Sequence, residues 1–374
     1  MFQDDNGATF RSPPLLSFFT GGGFLDLGFE IGGFRVAWSN EYNKLFAELH
    51  DYAYTCWRRS SQQKAEAAKI SDTRSVTSIH PDEILERAFG SKRNRPTIFG
   101  IIGGPPCTDF SIGGLRAGSG GTAGRLTGFY VGKLLKLEPA FFVLENVPGL
   151  VRNSKNLEFF RKKMRLLSGK YHLHENVLQA LEAGVPQDRE RLFLIGVRKN
   201  IDPNHDGTSF AWPANPRLAR AKELAWPRTN PFNAKIEKPK NLPEELMVHT
   251  ALGGDAGIEH LANGKEWFVP HSKKFSRVFE GHVANKSFKR LHRYRYSPTA
   301  WYGNNEVHLH PTEARRLSVR EALRLQSVPD EYAFPEGAPL GAKFKIICNG
   351  VPVKLAERVA TSVKTHLEKI GCLG

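Results

Sequence analysis

The stretch GGPPCTDFS, residues 103–111, sets one cysteine, Cys107, behind two glycines and two prolines. Two consecutive prolines stiffen the chain ahead of the thiol, because each fixes its own φ. Cysteine attacks as the thiolate, which a nearby cation favours by lowering the thiol pKa. Arg189 and Arg191 in QDRERLF (187–193) alternate along an expected strand, so both face one side and offer that cation. We therefore expect a nucleophile at Cys107; the alternatives are a small buried cysteine and two surface arginines.

A carboxyl group stands at the end of another apolar stretch. Glu145 lies in LENVPGL, residues 144–150. Poor solvation there raises the pKa of a carboxyl group, so Glu145 can donate or share a proton. The alternative is a turn or helix-capping residue, which Asn146 and Pro148 also fit. The glycines of loop 108–124 predict a mobile lid over such a site.

A third set of residues suits a nucleoside ligand. The glycines of FFTGGGFLDLGFE (18–30) follow a first apolar stretch, where they let the backbone approach a ligand closely. Asp26 stands where the dinucleotide fingerprint needs its third glycine, which disfavours NAD or FAD but leaves another nucleoside cofactor open. Glu41 ends a second expected strand, where an acid commonly holds ribose hydroxyls, and Asp72 is placed to accept from an adenine amino group. The alternative is a plain turn flanked by solvated acids.

The elements that position these residues alternate between strand and helix. Apolar runs predict strands at 13–19, 33–42, 95–104, 139–147, 174–180 and 191–198, with helices at 43–68, 123–137 and 157–167. This order predicts a parallel, doubly wound α/β sheet, in which ligands bind beyond the carboxyl ends of the strands. Residues 199–310 break the alternation, and helical patterning returns at 313–326 and 349–369. We therefore predict one domain from residues 1–198 and 311–374, interrupted by a smaller inserted domain at 199–310.

Charge and composition limit the classes of function that fit this chain. The 374 residues hold 53 Lys and Arg against 38 Asp and Glu, a net charge of +15, which suits a polyanion such as nucleic acid. Solubility alone is the alternative explanation for this charge. The four cysteines lack metal-ligand spacing, so we expect no metal site and reduced thiols in an intracellular protein. The chain has no long apolar run, so we expect no membrane span. Its N-terminal stretch is acidic and polar, so we expect no signal peptide.

Taken together, FFTGGGFLDLGFE, GGPPCTDFS, LENVPGL, QDRERLFLIGV, RRLSVREALRLQSVPDEY and NGVPVKLAERVA resemble the DNA (cytosine-5)-methyltransferase family, of the bacterial restriction-modification type. The resemblance covers residues 15–198 and 311–369. It implies a Rossmann-like S-adenosylmethionine-dependent methyltransferase domain with an inserted target-recognition domain. The implied reaction transfers a methyl group to C5 of cytosine in a specific double-stranded DNA sequence, with base flipping and a covalent adduct between Cys107 and C6.

The resemblance also implies residue roles. Glu145 would engage N3 and the exocyclic amine of the cytosine, Arg189 the base carbonyl, and Arg191 would support Cys107 and Glu145. The implied S-adenosylmethionine site comprises Phe19, Gly21, Gly22, Gly23, Glu41, Tyr42, Asp72, Pro106, Leu126, Asn349 and Val351. Expected DNA contacts are Ser111, Lys273, Lys274, Lys286, Arg290, Arg293 and Arg295, most of them in the basic segment 271–295. Ser17, Phe24 and Cys348 depart from the family pattern, where they replace an Asp and two Gly residues.

Two other functions remain open from the sequence. One is an RNA cytosine methyltransferase acting on tRNA, and the other is a catalytically inactive DNA-binding regulator. The insert at 199–310 favours DNA, and the presence of Cys107, Glu145, Arg189 and Arg191 favours activity. We further expect a cytoplasmic, nucleoid-associated monomer whose cognate restriction endonuclease acts independently.

Overall fold

The computed structural model describes residues 2–3, 9–10, 12–60, 71–106, 122–205, 210–269, 272–285, 287–299, 302 and 307–373. The strands are β1 (Phe2–Gln3), β2 (Thr9–Phe10), β3 (Pro14–Phe18), β4 (Arg35–Asn40), β5 (Ser71–Asp72), β6 (Gly100–Gly103), β7 (Phe141–Asn146), β8 (Tyr171–Gln179), β9 (Glu190–Arg198), β10 (Lys289–Arg290) and β11 (His308–Leu309). Among these described strands, seven form one sheet in the order β5-β4-β3-β6-β7-β9-β8. The predicted doubly wound α/β fold is confirmed.

Helices pack on both faces of this sheet, and the last three lie in the C-terminal part of the chain. The helices are α1 (Phe24–Ile31), α2 (Lys44–Ser60), α3 (Pro81–Phe89), α4 (Thr122–Leu137), α5 (Gly149–Arg152), α6 (Ser154–Ser168), α7 (Val248–Ala251), α8 (Val319–Leu325), α9 (Leu340–Asn349) and α10 (Val353–Lys369). No helix of the described ranges is long and apolar enough to cross a membrane.

The direction of β9 differs from the sequence prediction of a parallel sheet. β3 to β7 are mutually parallel where they pair, but β9 runs antiparallel to both β7 and β8. A parallel pair needs a long crossover, whereas only the short connection 180–189 joins β8 to β9. The reversal brings the start of β9 to the edge of the sheet where β7 ends.

Two hydrophobic layers explain why the strands read as continuous apolar runs. Leu15 and Phe141 pack in one layer with α1 and α10, and their neighbours Leu16 and Phe142 pack in the other with α3, α4 and α6. Side chains alternate across a strand, so a sheet that is covered on both faces needs apolar residues at successive positions. The same pattern leaves polar groups mainly at the strand ends.

The helix predicted at 313–326 is shorter in the structure. α8 begins only after Ser318, whose side chain accepts from the backbone N–H of Glu321 in a capping box. Residues just before it are extended instead, because the backbone N–H of Leu317 donates to His308 at 3.2 Å and Arg316 bridges to Leu309. A capping box is a strong helix start, so it overrides the periodic pattern upstream.

The region 210–310 has little regular structure and several small hydrophobic clusters. Its segment 262–266 is joined to the part of the chain that follows it. The side chain of Asn263 donates to the Phe334 carbonyl at 3.0 Å and accepts from the Phe334 N–H at 2.9 Å. Lys343 of α9 pairs with Glu266, and Arg320 of α8 donates to the Ala262 carbonyl at 2.9 Å. These bonds cross the predicted domain boundary at 310, and the boundary itself stays a prediction.

Candidate active site

The end of β7 carries a buried carboxyl group paired with an arginine from β9. Nε of Arg191 lies 2.9 Å from Oε1 of Glu145, and both side chains are nearly buried. The antiparallel register sets Glu145 opposite Phe193, so Arg191, two residues earlier on β9, reaches the carboxylate from beyond the strand end. Burial raises the pKa of Glu145, although Arg191 and Arg189 act to lower it. The site therefore holds a carboxyl group that keeps a proton more readily than an exposed glutamate does.

The chain that leads to Cys107 runs directly over this carboxyl group. A Cβ at Gly104 would lie 2.7 Å from Oε2 of Glu145, so a larger residue there would have to displace this carboxyl group. The Asn146 side chain donates to the Pro105 carbonyl at 3.1 Å, which fixes the segment to the end of β7. Half-buried Pro106 is the last residue described here. Cys107, Ser111 and residues 108–121 of the predicted lid lie outside the described residues, while the lid's last three residues, 122–124, begin α4 instead.

Arg189, which the resemblance assigns to the base carbonyl, bonds backbone carbonyls of the chain itself. Its side chain is 1% exposed, and Nη2 donates to the carbonyls of Cys348 at 2.8 Å and Gly350 at 2.9 Å. These carbonyls flank Asn349, which is exposed, and precede Val351, which is buried. Both Asn349 and Val351 were predicted to line the cofactor site. The guanidinium of Arg189 therefore faces the predicted cofactor side of the site.

The glycine turn after β3 has a carboxylate beside it. Oε2 of Glu41 accepts from the Gly21 N–H at 2.9 Å, and Oε1 accepts from the Asn43 N–H at 2.8 Å. Gly21 has a φ of 58°, and a Cβ built there meets no atom of the described residues within 4 Å. Burial raises the pKa of Glu41, although these two backbone bonds act to lower it. A turn with free space above it and an adjacent acid fits a nucleoside, as the sequence predicted.

The remaining predicted cofactor residues surround this turn with different exposures. Phe19 packs edge-on against Tyr130, and Leu126 is half-buried on α4. Tyr42 is 73% exposed, which leaves its ring available to a ligand. Gly22 and Gly23 complete the turn; the Gly22 carbonyl accepts from the Tyr332 hydroxyl at 2.6 Å.

Asp72 lies next to the turn and is already ion-paired. Its carboxylate accepts from Arg74 at 2.9 and 3.1 Å and lies 3.2 Å from Arg87. Burial acts to raise the pKa of Asp72, but the contacts with Arg74 outweigh it and lower that pKa. An adenine amino group would have to share this carboxylate with Arg74 and Arg87.

A buried polar group beneath the glycine turn was not assigned a role from the sequence. Asp26 is completely buried, and the Ser17 hydroxyl donates to its Oδ1 at 2.6 Å. Burial raises the pKa of Asp26 to about 6, while His50 and Ser17 act to lower it. Oδ2 of Asp26 lies 3.9 Å from Nε2 of the buried His50. Two departures from familiar patterns, Ser17 and Asp26, were visible in the sequence, but their contact was not.

The basic segment 271–295 divides into buried and exposed side chains. Arg290 was predicted to contact DNA, but it is 0% exposed and donates to the carbonyls of Phe275, Val278, His310 and Glu313. We correct this assignment to a structural one, because a guanidinium enclosed by carbonyls cannot also reach a nucleic acid. Burial lowers the pKa of Arg290 to about 10, which still leaves it charged at neutral pH.

Arg293 and Arg295 are partly engaged as well. Arg293 forms a two-pronged pair with the buried Glu280, at 2.7 and 2.9 Å, and Arg295 donates to the Pro227 carbonyl at 3.4 Å. Lys274 is exposed, with Nζ 5.7 Å from the centre of the Phe288 ring. The side chain of Lys273 and the whole of Lys286 lie outside the described residues. Among the predicted DNA contacts of this segment whose side chains the structure describes, Lys274 is therefore the exposed cation.

Comparisons with known proteins identify the family of the chain. A family model for C-5 cytosine-specific DNA methylase matches residues 14–365. The chain is 39% identical to Type II methyltransferase M.NmeDI of Neisseria meningitidis serogroup C, over 95% of this chain and 84% of that protein. It is 30% identical to Type II methyltransferase M.FnuDI of Fusobacterium nucleatum, over 95% and 96% of the two chains.

A solved structure shares the fold at low identity. The Dnmt2 methyltransferase of S. pombe gives a TM-score of 0.60 at 14% identity, covering 96% of this chain and 99% of that one. The family match and the identity to bacterial methyltransferases go further than fold. The chain therefore belongs to the C-5 cytosine-specific DNA methylase family, whose members use S-adenosylmethionine as the methyl donor.

Proposed function

We propose that this enzyme methylates C5 of a cytosine within a specific double-stranded DNA sequence, through a transient bond between Cys107 and C6. The observation that carries this proposal is the buried Glu145–Arg191 pair directly beneath the Gly104–Pro106 approach to Cys107. A thiol and a proton-bearing carboxyl group at one strand edge are the two groups that the chemistry needs. C5 of cytosine is a poor nucleophile until C6 has been attacked.

Each group has one task. The thiolate of Cys107 forms a sulfur–carbon bond at C6, and the electrons of the C5–C6 double bond become available at C5. The carboxyl group of Glu145 holds a proton at N3, where negative charge develops, and its raised pKa suits this task. After methylation the C5 proton leaves to a base, the sulfur–C6 bond breaks, and the thiolate returns. Arg191 holds Oε1 of Glu145 and leaves Oε2 directed toward the Gly104 backbone side.

The residues beside the Gly21–Gly23 turn fit the cofactor, which supplies an electrophilic methyl group when bound. Glu41 lies within hydrogen-bond distance of the turn, and the space above Gly21 is open. We assign Glu41 to the ribose and the exposed Tyr42 to the adenine ring. Phe19, Gly22, Gly23, Asp72, Pro106, Leu126, Asn349 and Val351 complete the proposed pocket.

Duplex DNA hides C6 of the target base within the stack, so we propose that the base is flipped into the site. Residues 199–310 are the proposed recognition region. Within it, Lys274 fits a phosphate contact, while a base contact by Arg293 would require its pair with Glu280 to open. Ser111, Lys273 and Lys286 remain proposed DNA contacts. A monomeric state and an independent cognate endonuclease remain part of the same proposal.

The test is bisulfite sequencing of DNA from a methylation-free host that expresses the protein, with a Glu145→Gln variant beside it. We expect protected cytosines at one recurring sequence, and far fewer with the variant. Transfer of labelled methyl groups to DNA and to tRNA in parallel separates this proposal from the RNA alternative. Labelling of tRNA alone would overturn the DNA assignment, and labelling of neither would favour an inactive DNA-binding protein.

A further inference from the structure

Three side chains at every second position from Gln187 to Arg191, just before and at the start of β9, point to three different parts of the enzyme. Gln187 is 0% exposed and donates to the Leu325 carbonyl at the end of α8, at 3.2 Å. Arg189 donates to the carbonyls of Cys348 and Gly350, and Arg191 pairs with Glu145. A short stretch of backbone therefore joins the base-facing carboxyl group to the end of α9.

The contacts of Arg189 act on the end of a helix. Carbonyl groups in the last turn of a helix lack intrahelical partners, and a cation placed there is stabilising. Cys348 is in the last turn of α9, and Gly350 follows that helix directly. One guanidinium nitrogen bonds both carbonyls, at 2.8 and 2.9 Å, so Asn349 between them is held from both sides. A Cβ at Gly350 would strike the Phe24 ring of α1, which packs this segment against the helix that follows the glycine turn.

We propose that Arg189 is a positioning residue for the cofactor pocket, and that it acts through the Cys348–Gly350 backbone rather than by touching the target base. The inference rests on the proposed function in one respect, the assignment of Asn349 and Val351 to that pocket. Arg189 is 1% exposed and both carbonyl bonds use the same nitrogen, Nη2. Contact between Nη2 and a base carbonyl would require this anchor to break.

The two roles make different demands on the free enzyme. A residue that contacts the flipped base matters only when DNA is bound. A residue that orders the cofactor pocket matters before DNA arrives, because the pocket must hold its shape to bind the cofactor at full affinity. Cofactor affinity measured without DNA therefore separates them.

The experiment compares Arg189→Met with Arg198→Met, an arginine at the other end of β9 whose Nη1 donates to the Glu138 carbonyl at 2.8 Å. Calorimetry with S-adenosylmethionine and DNA-free protein should show affinity at least about tenfold weaker for Arg189→Met, and within about twofold of the wild type for Arg198→Met. Amide hydrogen exchange at 349–353 should become faster only in Arg189→Met. In turnover assays the KM for S-adenosylmethionine should rise more than kcat falls.

Unchanged cofactor affinity together with a lower kcat would overturn the inference and return Arg189 to the base. Arg189→Lys serves where the methionine variant does not fold: it keeps one donor group, so we expect intermediate affinity, and wild-type affinity would again overturn the inference. The outcome is independent of the DNA assignment, since cofactor binding is read without DNA. If the wild type binds S-adenosylmethionine but methylates no DNA, the proposed function fails while the role of Arg189 is still decided.

Discussion

The edge of the sheet where β7 ends and the region 210–310 both contain largely buried arginines, but these arginines bond different groups. At the edge, Arg191 meets a carboxylate at the end of β7, and Arg189 meets carbonyls at the end of α9. In region 210–310 there are few strands to satisfy the backbone, and Arg290 alone donates to four carbonyls. Arginine thus pairs with a buried carboxyl group in one region and bonds backbone carbonyls of irregular segments in the other.

This difference limits what a high positive charge says about DNA contact. Eight Lys and Arg residues lie in segment 271–295, yet the structure buries one and pairs another with Glu280. A buried polar backbone group needs a partner, and in an irregular region side chains must supply it. Charge density alone therefore overestimates how much of the segment can contact DNA. Variants in each region can distinguish charges that contact DNA from charges that stabilise the fold.

The largest effect is expected at the sheet edge, from Cys107→Ala. Methyl transfer should fall by a factor on the order of 10³ or more, the usual scale for removing a nucleophile, while DNA affinity stays near that of the wild type. Cys56→Ala on α2 is the control and should leave turnover unchanged. Labelled-methyl assays measure the rate. Turnover of Cys107→Ala within tenfold of the wild type would remove Cys107 from the mechanism.

The next largest effect is expected in region 210–310, from Arg290→Met. Leaving several buried carbonyls unpaired should lower the free energy of unfolding by roughly 3 kcal/mol, with little change in DNA affinity of the folded fraction. Arg277→Met, at an exposed arginine of the same segment, should leave unfolding almost unchanged. Urea denaturation measures the difference. A stable Arg290→Met protein with weak DNA binding would restore Arg290 as a DNA contact.

Asp26→Asn tests the buried carboxyl group beneath the glycine turn. The folded pKa of Asp26, about 6, lies above its ordinary value of 3.8, so the folded state binds the proton more tightly. The wild type should therefore lose roughly 3 kcal/mol of stability in total as pH rises from below about 4 to about 7, with about half of this loss above pH 5. Asp26→Asn has no proton to lose at this position. Its free energy of unfolding relative to that of the wild type should therefore increase between about pH 5 and about pH 7.5.

Unfolding by urea at those two pH values measures the effect. Asp255→Asn, at a fully exposed carboxylate, is the control for removal of a carboxylate charge. An advantage of Asp26→Asn that is equal at both pH values would mean that Asp26 titrates as an ordinary carboxyl group.

The smallest effect is expected for Lys274→Ala. If this exposed lysine neutralises one phosphate, affinity for cognate and scrambled duplexes should fall alike, and the slope of log affinity against log salt should decrease by about one. Lys136→Ala, at an exposed lysine near the end of α4, is the control and should leave the slope unchanged. Equal slopes for wild type and Lys274→Ala would place the DNA elsewhere on the recognition region.

Local patterns predicted most strands of the sheet and the strand ends near which the candidate site lies. Apolar runs indicated the strands that end at Glu41 and Glu145, and the spacing of Arg189 and Arg191 predicted that they lie near one edge. The reversed direction of β9 was missed, because a strand's apolar pattern does not depend on its direction. It is this reversal that brings Arg191 to Glu145.

Contacts between distant segments could not be predicted from one sequence. The partners of Arg189 lie 159 and 161 residues further along the chain, and the resemblance assigned this residue by motif alone. The same holds for Ser17 and Asp26, where a substituted residue and an unusual acid are bonded to each other. Burial of Arg290 was equally hidden, because an arginine in an irregular region reads as a surface charge.

The bonds from Asn263 and Glu266 to Phe334 and Lys343 bear on how such enzymes can be recombined. A chimera that exchanged only residues 199–310 would keep Phe334 and Lys343 but take the residues facing them from the other protein. Where that protein has no acid in place of Glu266, buried Lys343 would lack its carboxylate, a loss that costs far more than an exposed pair would. Exchange of sequence specificity between relatives should therefore succeed more often when the grafted piece extends through α8 to α9, so that the unit of inheritance is larger than the proposed recognition region.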